Sequence, residues 1–278
     1  MDYITRAKKF RAKKRLGQNF LVDESIISSI LGHSKITSDE TVVEIGPGLG
    51  FVTEQLVKQA KKVYAVEIDS DVINILKKIP CNNLEIINQD ILKTDLSQFG
   101  KNLKVVANIP YYITSPILVH LLGEIDDLNN KNRNSINEIY LMVQYEVAKR
   151  LVANESSPSK QYGLLSILAQ FYADVEIVEF VPSKSFFPRP KVDSAIVKIK
   201  INDKPRVETK DYSFLRKVAK ACFGTRRKNL KNSLCNFGFD KNSVEETLKN
   251  MGYNTNLRGE NLSIQQIKNL SEELKKCL

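Results

Sequence analysis

Between residues 41 and 201, short apolar runs alternate with helical stretches along the chain. The runs are rich in Val and Ile and apolar on both faces, as strands buried in a parallel sheet are. Stretches such as Val52–Gln59 and Asp71–Lys78 have the spacing of crossover helices. The pattern predicts an α/β, Rossmann-like domain with a seven-stranded sheet. The predicted strands are Val42–Ile45, Val63–Ile68, Leu84–Asn88, Lys104–Asn108, Ile139–Val143, Val175–Val181 and Ala195–Ile201.

The last two of these runs differ from the others in their connection. They follow a helical stretch at Tyr162–Tyr172 and are joined by a Pro-rich segment, without a crossover helix. A short connection of this kind suits antiparallel strands. We therefore expect them to form a hairpin at one edge of the sheet.

The pattern changes after Asn202-Asp203-Lys204-Pro205, where apolar residues begin to recur at helical spacing. Glycines at 224, 238 and 252 separate the periodic segments. This spacing of apolar residues predicts a small all-helical domain. We therefore expect a basic N-terminal arm at residues 1–22, the α/β domain at 23–203 and a helical domain at 204–278.

The positive charge is concentrated in two blocks. The chain has a formal net charge of +10, with seven Lys/Arg against one Asp in residues 1–22 and fifteen Lys/Arg against four acids in residues 184–231. Subtracting these blocks, of +6 and +11, leaves −7 for the rest. Basic blocks on an acidic body favour a polyanionic partner such as nucleic acid over an anionic membrane, because neither block has a clear apolar face.

Several classes of protein are disfavoured by the composition. No apolar run is long enough to span a bilayer and the first residues lack a signal-peptide pattern, so a cytoplasmic protein without a membrane partner is expected. Four scattered cysteines suit a reducing compartment. With only two histidines and no C-x-x-C spacing, neither a metal site nor a Ser-His-Asp enzyme is expected.

The tips of the first three predicted strands carry candidate ligand-binding residues. The first strand runs into a turn that contains Gly46 and Gly48, where a missing Cβ lets the backbone approach a ligand. Glu67 ends the next strand, and an acid there can accept hydrogen bonds from ribose hydroxyls. Asp90 follows the third strand and could hold an adenine amine. The turn has neither the dinucleotide nor the P-loop spacing, which favours a nucleoside without phosphates, such as S-adenosylmethionine.

Each of these features alone has a plainer interpretation. A Gly-rich turn can be only a tight turn, and an acid at a strand end can be only solvated. Because the carboxyl ends of parallel strands share one edge of the sheet, their occurrence together favours a ligand site.

The fourth strand ends in Asn108-Ile109-Pro110-Tyr111. The side-chain oxygen of Asn108 and the carbonyl of Ile109 can accept both hydrogens of an exocyclic amine. Pro110 fixes the turn, and Tyr111 can stack on a base that has been swung out of its helix. The alternative is an ordinary turn, with Tyr111 and Tyr112 packed in the core. The cofactor features upstream favour an amine clamp.

Four segments together resemble the ribosomal RNA adenine dimethyltransferase family over about Lys13 to Leu274. They are L-G-Q-N-F-L at 16–21, E-I-G-P-G-L-G at 44–50, N-I-P-Y at 108–111 and F-F-P-R-P-K-V-D-S at 186–194. The resemblance implies that Tyr111 and Phe186 sandwich the target adenine, while Phe187 is expected to be the buried member of the aromatic pair. It also implies that S-adenosylmethionine contacts Asn19, Leu21, Gly46, Glu67, Asp90 and Asn108.

Two C-terminal segments are similar to the branch that modifies 16S ribosomal RNA: F-G-T-R-R-K-N-L-K-N-S-L at 223–234 and R-G-E-N-L-S at 258–263. The expected function is therefore dimethylation of adenines in small-subunit ribosomal RNA, in the subunit or its precursor, by a monomer. The alternatives are a 23S adenine methyltransferase of the macrolide-resistance type, a non-catalytic assembly factor and a nicotinamide-dependent oxidoreductase.

The basic blocks supply the predicted RNA contacts. The N-terminal block would form an arm over the cofactor entrance or along RNA phosphates. The C-terminal block would present cations one helical turn apart, and its alternative is a solvated helix face. The predicted RNA-binding residues are Lys13, Lys14, Arg15, Arg226, Arg227, Lys228 and Lys231.

Overall fold

A computed structural model describes residues 2–225, 228–254 and 256–277. By its internal contacts the chain divides into two compact units. The first comprises Met1–Leu121, Asn129–Ala148 and Val175–Ile201, and the second comprises Leu122–Leu128, Lys149–Asp174 and Asn202–Leu278. The predicted domain boundaries at residues 22 and 203 stay predictions.

The main sheet has seven strands, as the apolar runs predicted. The spatial order is β4-β3-β2-β5-β6-β9-β7, so that β7 lies at one edge beside β9, where the hairpin was expected. The described strands are β1 (Phe20–Leu21), β2 (Thr41–Ile45), β3 (Lys62–Glu67), β4 (Leu84–Asn88), β5 (Leu103–Asn108), β6 (Ile136–Gln144), β7 (Ala173–Val181), β8 (Phe186–Phe187) and β9 (Ser194–Ile201).

The direction of the strands fixes where a ligand can bind. Strands β2, β3, β4, β5 and β6 are parallel to one another, and β9 is antiparallel to β6. From β2 the chain builds the sheet outwards through β3 and β4, then returns to place β5 on the other side of β2. Such a reversal opens a crevice at the carboxyl ends of the central strands.

Helices complete both units. They are α1 (Tyr3–Lys8), α2 (Glu24–Ser34), α3 (Thr53–Gln59), α4 (Ser70–Leu76), α5 (Thr114–Leu122), α6 (Tyr145–Val152), α7 (Leu164–Phe171), α8 (Tyr212–Gly224), α9 (Leu230–Asn236), α10 (Lys241–Asn250) and α11 (Ile264–Lys276). The crossover helices α3 and α4 begin and end within two residues of the predicted stretches. No helix of the described residues combines the length and the apolarity needed to cross a membrane.

A two-stranded antiparallel sheet was not expected. Strand β1 pairs with β8, with Phe20 opposite Phe187 and Leu21 opposite Phe186. The pairing brings Phe186 into a core cluster with Phe20 and Leu21, where Phe186 is 3% exposed, whereas Phe187 only packs against that cluster. The prediction that Phe187 would be the buried member of the pair is therefore wrong, because the register with β1 turns Phe186 inward.

The second unit has the helical core that the spacing predicted. Leu215, Val218, Leu230 and Leu270 belong to one buried cluster with the other periodic apolar residues of α8–α11. Each of these four helices begins at a residue whose side chain accepts a backbone N–H of the first turn, which satisfies one of the otherwise unpaired donors. These N-caps are Asp211, Asn229, Asp240 and Ser263.

Candidate active site

A cavity of about 360 Å³ opens at the carboxyl ends of β2, β3, β4 and β5. This is the crevice that the strand order predicts, and its volume lies in the range of small-molecule sites. The segment Leu16–Leu21 of the N-terminal arm forms a further wall. The cavity wall is thus formed by the ends of four strands and by one segment from outside the main sheet.

The Gly-rich turn after β2 needs its glycines. Gly46 and Gly48 have φ values of +69° and +54°, a region that L side chains rarely adopt. A Cβ at Gly48 would lie 3.0 Å from Cδ1 of Phe20, and one at Gly46 would lie 3.2 Å from the carbonyl oxygen of Asn108. The backbone of the turn therefore lies close to both β1 and β5.

The cavity wall carries acidic side chains and no basic ones. Glu44, Glu67 and Asp90 line it, and among the described residues no Lys, Arg or His does so. The carboxylates of Glu67 and Asp90 attract a cation and repel a phosphate. This composition fits a cationic nucleoside and opposes a dinucleotide, whose pyrophosphate would meet carboxylates.

Glu44 is the most deeply buried of the three acids. Only 3% of it is exposed, and the hydroxyl of Thr53 donates to its Oε2 at 2.6 Å. Burial raises the pKa of Glu44 to about 8, and the nearby charge of Glu67 acts in the same direction, while the Thr53 hydrogen bond opposes it. Burial therefore favours the protonated form of Glu44 near neutral pH.

Glu67 is held at the end of β3 by backbone donors. The N–H groups of Ile68 and Asp69 donate to its Oε1 at 2.9 and 2.8 Å. Burial raises the pKa of Glu67, and these hydrogen bonds act in the opposite direction. At the tip of β4, the Leu92 N–H donates to Oδ1 of Asp90 at 3.0 Å. Both acids are thus fixed in place beside the cavity.

The clamp residues follow β5 directly. The amide nitrogen of Asn108 donates to the Asn19 carbonyl at 3.4 Å, which leaves its side-chain oxygen as an acceptor. Pro110 precedes a 3-10 turn at Tyr111–Ile113. The hydroxyl of Tyr111 lies 2.7 Å from Oγ of Ser194, and burial raises the pKa of this tyrosine. The hydrogen bond fixes the direction of the Tyr111 ring at the cavity wall.

Two hydrogen-bonded side chains join the N-terminal arm to the tip of β3. The ammonium group of Lys13 lies 2.5 Å from Asp69 and 2.7 Å from Asp71, and the amide of Gln18 donates to Asp69 at 2.7 Å. Burial works against ionisation of Asp69, but these hydrogen bonds outweigh it and lower the pKa of Asp69. In this structure the charge of Lys13 is engaged by carboxylates at the cavity rim.

Comparison with known proteins identifies the family. The sequence model described as "Ribosomal RNA adenine dimethylase" matches residues 9–276. The chain belongs to this family. Among curated relatives, proteins named "Ribosomal RNA small subunit methyltransferase A" are 43% identical in Bacillus mycoides, over 95% of this chain and 92% of that protein, and 40% identical in Clostridium botulinum, over 95% and 94%.

Solved structures agree with this adenine dimethylase assignment. A dimethyladenosine transferase from Plasmodium falciparum matches with a TM-score of 0.75 and 29% identity, covering 91% of this chain and 96% of that one. The 23S rRNA methyltransferase ErmE matches with a TM-score of 0.67 and 27% identity, covering 92% and 100%. The fold of the chain is therefore that of ribosomal RNA methyltransferases.

The structure brings most of the predicted cofactor and clamp residues of this dimethylase-family protein to one cavity. The wall contains Asn19, Leu21, Gly46, Gly48, Glu67, Asp90, Asn108, Ile109, Pro110 and Tyr111. Phe186 is the exception, because it is buried in the core and does not line the cavity. Its contact with the adenine stays a prediction.

The predicted RNA-binding residues have different surroundings. Lys14, Arg15 and Lys228 are exposed, whereas Lys231 lies 2.9 Å from Glu245. Arg226 and Arg227 lie outside the described residues. Glu44 and Ser194 were not predicted as site residues of this adenine dimethylase. Both nevertheless lie within the segments that carry the family resemblance.

Proposed function

We propose that the protein uses S-adenosylmethionine to dimethylate the exocyclic amines of adenines in 16S ribosomal RNA, within the small subunit or its precursor. One observation carries the proposal: a cavity walled by three carboxyl groups, without a basic side chain among its described residues, directly adjoins Asn108-Ile109-Pro110-Tyr111. A cationic methyl donor and a flat amine acceptor would meet there. The family membership supports the same reaction.

The residues of the cavity fit S-adenosylmethionine, which carries a positive sulfonium centre and no phosphate. Glu67 would accept hydrogen bonds from the ribose hydroxyls, and Asp90 from the adenine amine. The glycine turn lets the backbone approach the ligand, and Asn19 and Leu21 close the wall from the arm. When bound, the cofactor supplies an electrophilic methyl group.

The clamp residues would orient the target amine. The exocyclic nitrogen of adenine is a poor nucleophile, because its lone pair is delocalised into the ring. Two acceptors, the Asn108 side-chain oxygen and the Ile109 carbonyl, would hold its hydrogens and favour a pyramidal nitrogen. Tyr111 would stack on the base, with Phe186 on the opposite face once that side chain becomes accessible. The remaining requirement is in-line approach to the methyl group.

The substrate is proposed from the charge distribution and the relatives. Lys14 and Arg15, which are exposed in the arm, would contact RNA phosphates together with the basic stretch Arg226–Lys231, whereas the charge of Lys13 is engaged by Asp69 and Asp71. The relatives at 40–43% identity are named for the small subunit, whereas the 23S enzyme is 27% identical, which favours the former substrate. We infer a cytoplasmic monomer that participates in assembly of the small subunit.

The test is incubation of the protein with tritiated S-adenosylmethionine and immature small subunits from an unmethylated strain, followed by mapping of the labelled bases. Label on adenine amines of the 16S RNA is the expected result. Large subunits serve as the comparison substrate, and label on 23S RNA alone would favour the macrolide-resistance type. Binding to subunits without any label would favour a non-catalytic assembly factor.

Substitution of Asn108 tests the clamp. Asn108→Ala removes one acceptor of the amine, and methyl transfer should fall about 10²- to 10³-fold while RNA binding is retained. The control is Gln144→Ala, because Gln144 ends the neighbouring strand β6 with an amide side chain but does not line the cavity. Label transfer by Asn108→Ala at the rate of the control would contradict the clamp.

A further inference from the structure

An exposed aromatic side chain stands at the rim of the cavity. Tyr112 is 64% exposed and lines the same cavity as Tyr111. On the basis of the proposed function, we propose that the Tyr112 ring is a stacking platform for the nucleotide next to the target adenine in the RNA strand. The platform lies at the rim of the cavity and would hold an unpaired base, of any identity, by its face.

The turn directs the two tyrosines to different places. Tyr111 and Tyr112 are consecutive in a 3-10 turn, where successive side chains point about 120° apart. The Tyr111 ring is tethered by the Ser194 hydroxyl, whereas no hydrogen bond or ring contact within the described part of the chain engages Tyr112. One ring can therefore serve the target base while the other serves a neighbouring base.

The position of the Tyr112 ring is nevertheless defined. A Cβ at Gly17 would lie 3.3 Å from Cε1 and 3.5 Å from Cδ1 of Tyr112, and 3.2 Å from Cβ of Pro110. Gly17 has a φ of +61°, so the arm passes close to one edge of the ring at a residue suited to that conformation. A ring supported along one edge loses little further freedom when a base stacks on it.

Charge distribution indicates where the RNA backbone would run. The acids of the cavity wall repel phosphates, so only the base can enter. Lys14 and Arg15 are exposed in the arm and are separated by one residue from Gly17, which lies close to the Tyr112 ring. Phosphates would therefore follow the arm outside the cavity, and a nucleotide attached there would have its base beside Tyr112.

The experiment compares Tyr112→Leu with Tyr112→Phe in the full-length protein. Leucine removes the aromatic face, whereas phenylalanine keeps it. With unmethylated small subunits, kcat/KM should fall about five- to ten-fold for Tyr112→Leu, near the lower end of the range for base–aromatic stacking, because leucine retains apolar contact. Tyr112→Phe should stay within about two-fold of the unaltered protein. Affinity for S-adenosylmethionine, measured by calorimetry, should not change.

A second readout reports stacking directly. The probe is a hairpin RNA whose loop carries an adenine followed by 2-aminopurine, whose fluorescence is quenched when it stacks on an aromatic ring. The unaltered protein and Tyr112→Phe should quench the probe, and Tyr112→Leu should not. Phe180→Leu is the matched control, since Phe180 is an exposed aromatic on edge strand β7 that does not line the cavity.

The outcomes distinguish a stacking role of Tyr112 from the alternative roles of this side chain. Unchanged kcat/KM and unchanged quenching in Tyr112→Leu would overturn the platform, and so would an equal loss in Phe180→Leu. Weaker cofactor binding in Tyr112→Leu would assign the ring to the cofactor instead. If the unaltered protein transfers no methyl group to subunits, the proposed function fails, while the quenching assay still decides whether Tyr112 contacts RNA.

Discussion

Replacement of Glu44 by Gln should make the protein less sensitive to alkaline pH. Glu44 is 3% exposed, and burial raises its pKa from 4.5 to about 8. Between these two pH values the folded protein keeps a proton that the unfolded chain has released. Raising the pH therefore favours unfolding, and the stability is lost progressively up to the folded-state pKa. Glutamine keeps the shape of the protonated acid and does not titrate.

The size of the effect follows from proton linkage. One proton bound only by the folded state changes the free energy of unfolding by about 1.4 kcal/mol per pH unit. From about pH 5.5 to about pH 7, the unaltered protein should therefore lose about 2 kcal/mol relative to Glu44→Gln. Comparing the two proteins at each pH cancels the contributions of the other titrating groups.

The assay is urea unfolding without cofactor at several pH values, and its quantity is the difference in free energy of unfolding between the two proteins. A difference that stays constant across this range would refute protonation of Glu44 in the folded state. Thr53→Val is a matched comparison, because the Thr53 hydrogen bond lowers the pKa of Glu44. Its loss should extend the pH-dependent decline to higher pH.

Three further substitutions test the geometry of the cavity. Glu67→Gln should weaken binding of S-adenosylmethionine about ten-fold, since one charged acceptor of the ribose hydroxyls is lost; an unchanged affinity by calorimetry would exclude the ribose role. Ser194→Ala removes the partner of the Tyr111 hydroxyl, and kcat should fall about five-fold with cofactor affinity unchanged. Tyr111→Phe removes the same bond, so the double variant should be no slower than either single variant, and additive losses would argue against a shared role.

The sheet and the helical core were predictable because their signals are periodic and local. Buried parallel strands carry continuous Val/Ile runs, and helices such as α8 and α11 repeat apolar residues at helical spacing. Lys104 departs from this pattern: it lies inside buried strand β5 with 6% exposure, and its ammonium group reaches Glu40 at 2.9 Å. The pattern of apolar residues in β5 does not indicate that Glu40 is the partner of Lys104.

The strand-tip residues of the site were also predictable, because parallel strands bring their carboxyl ends to one edge. The contacts that were missed join distant parts of the chain. A two-residue strand such as β1 has no periodicity, so nothing in the sequence predicts its register with β8 or which of Phe186 and Phe187 faces the core. The hydrogen bond between Tyr111 and Ser194 likewise depends on the packing of two separate segments.

The pairing of β1 with β8 has a consequence for the order in which the site is completed during synthesis. Phe20 and Leu21 form part of the cavity wall, and the strand that fixes them follows only after the five parallel strands have been made. Domains generally fold as units, and the unit that holds the cavity includes residues up to Ile201. The cofactor pocket would therefore be complete only after most of the chain has left the ribosome.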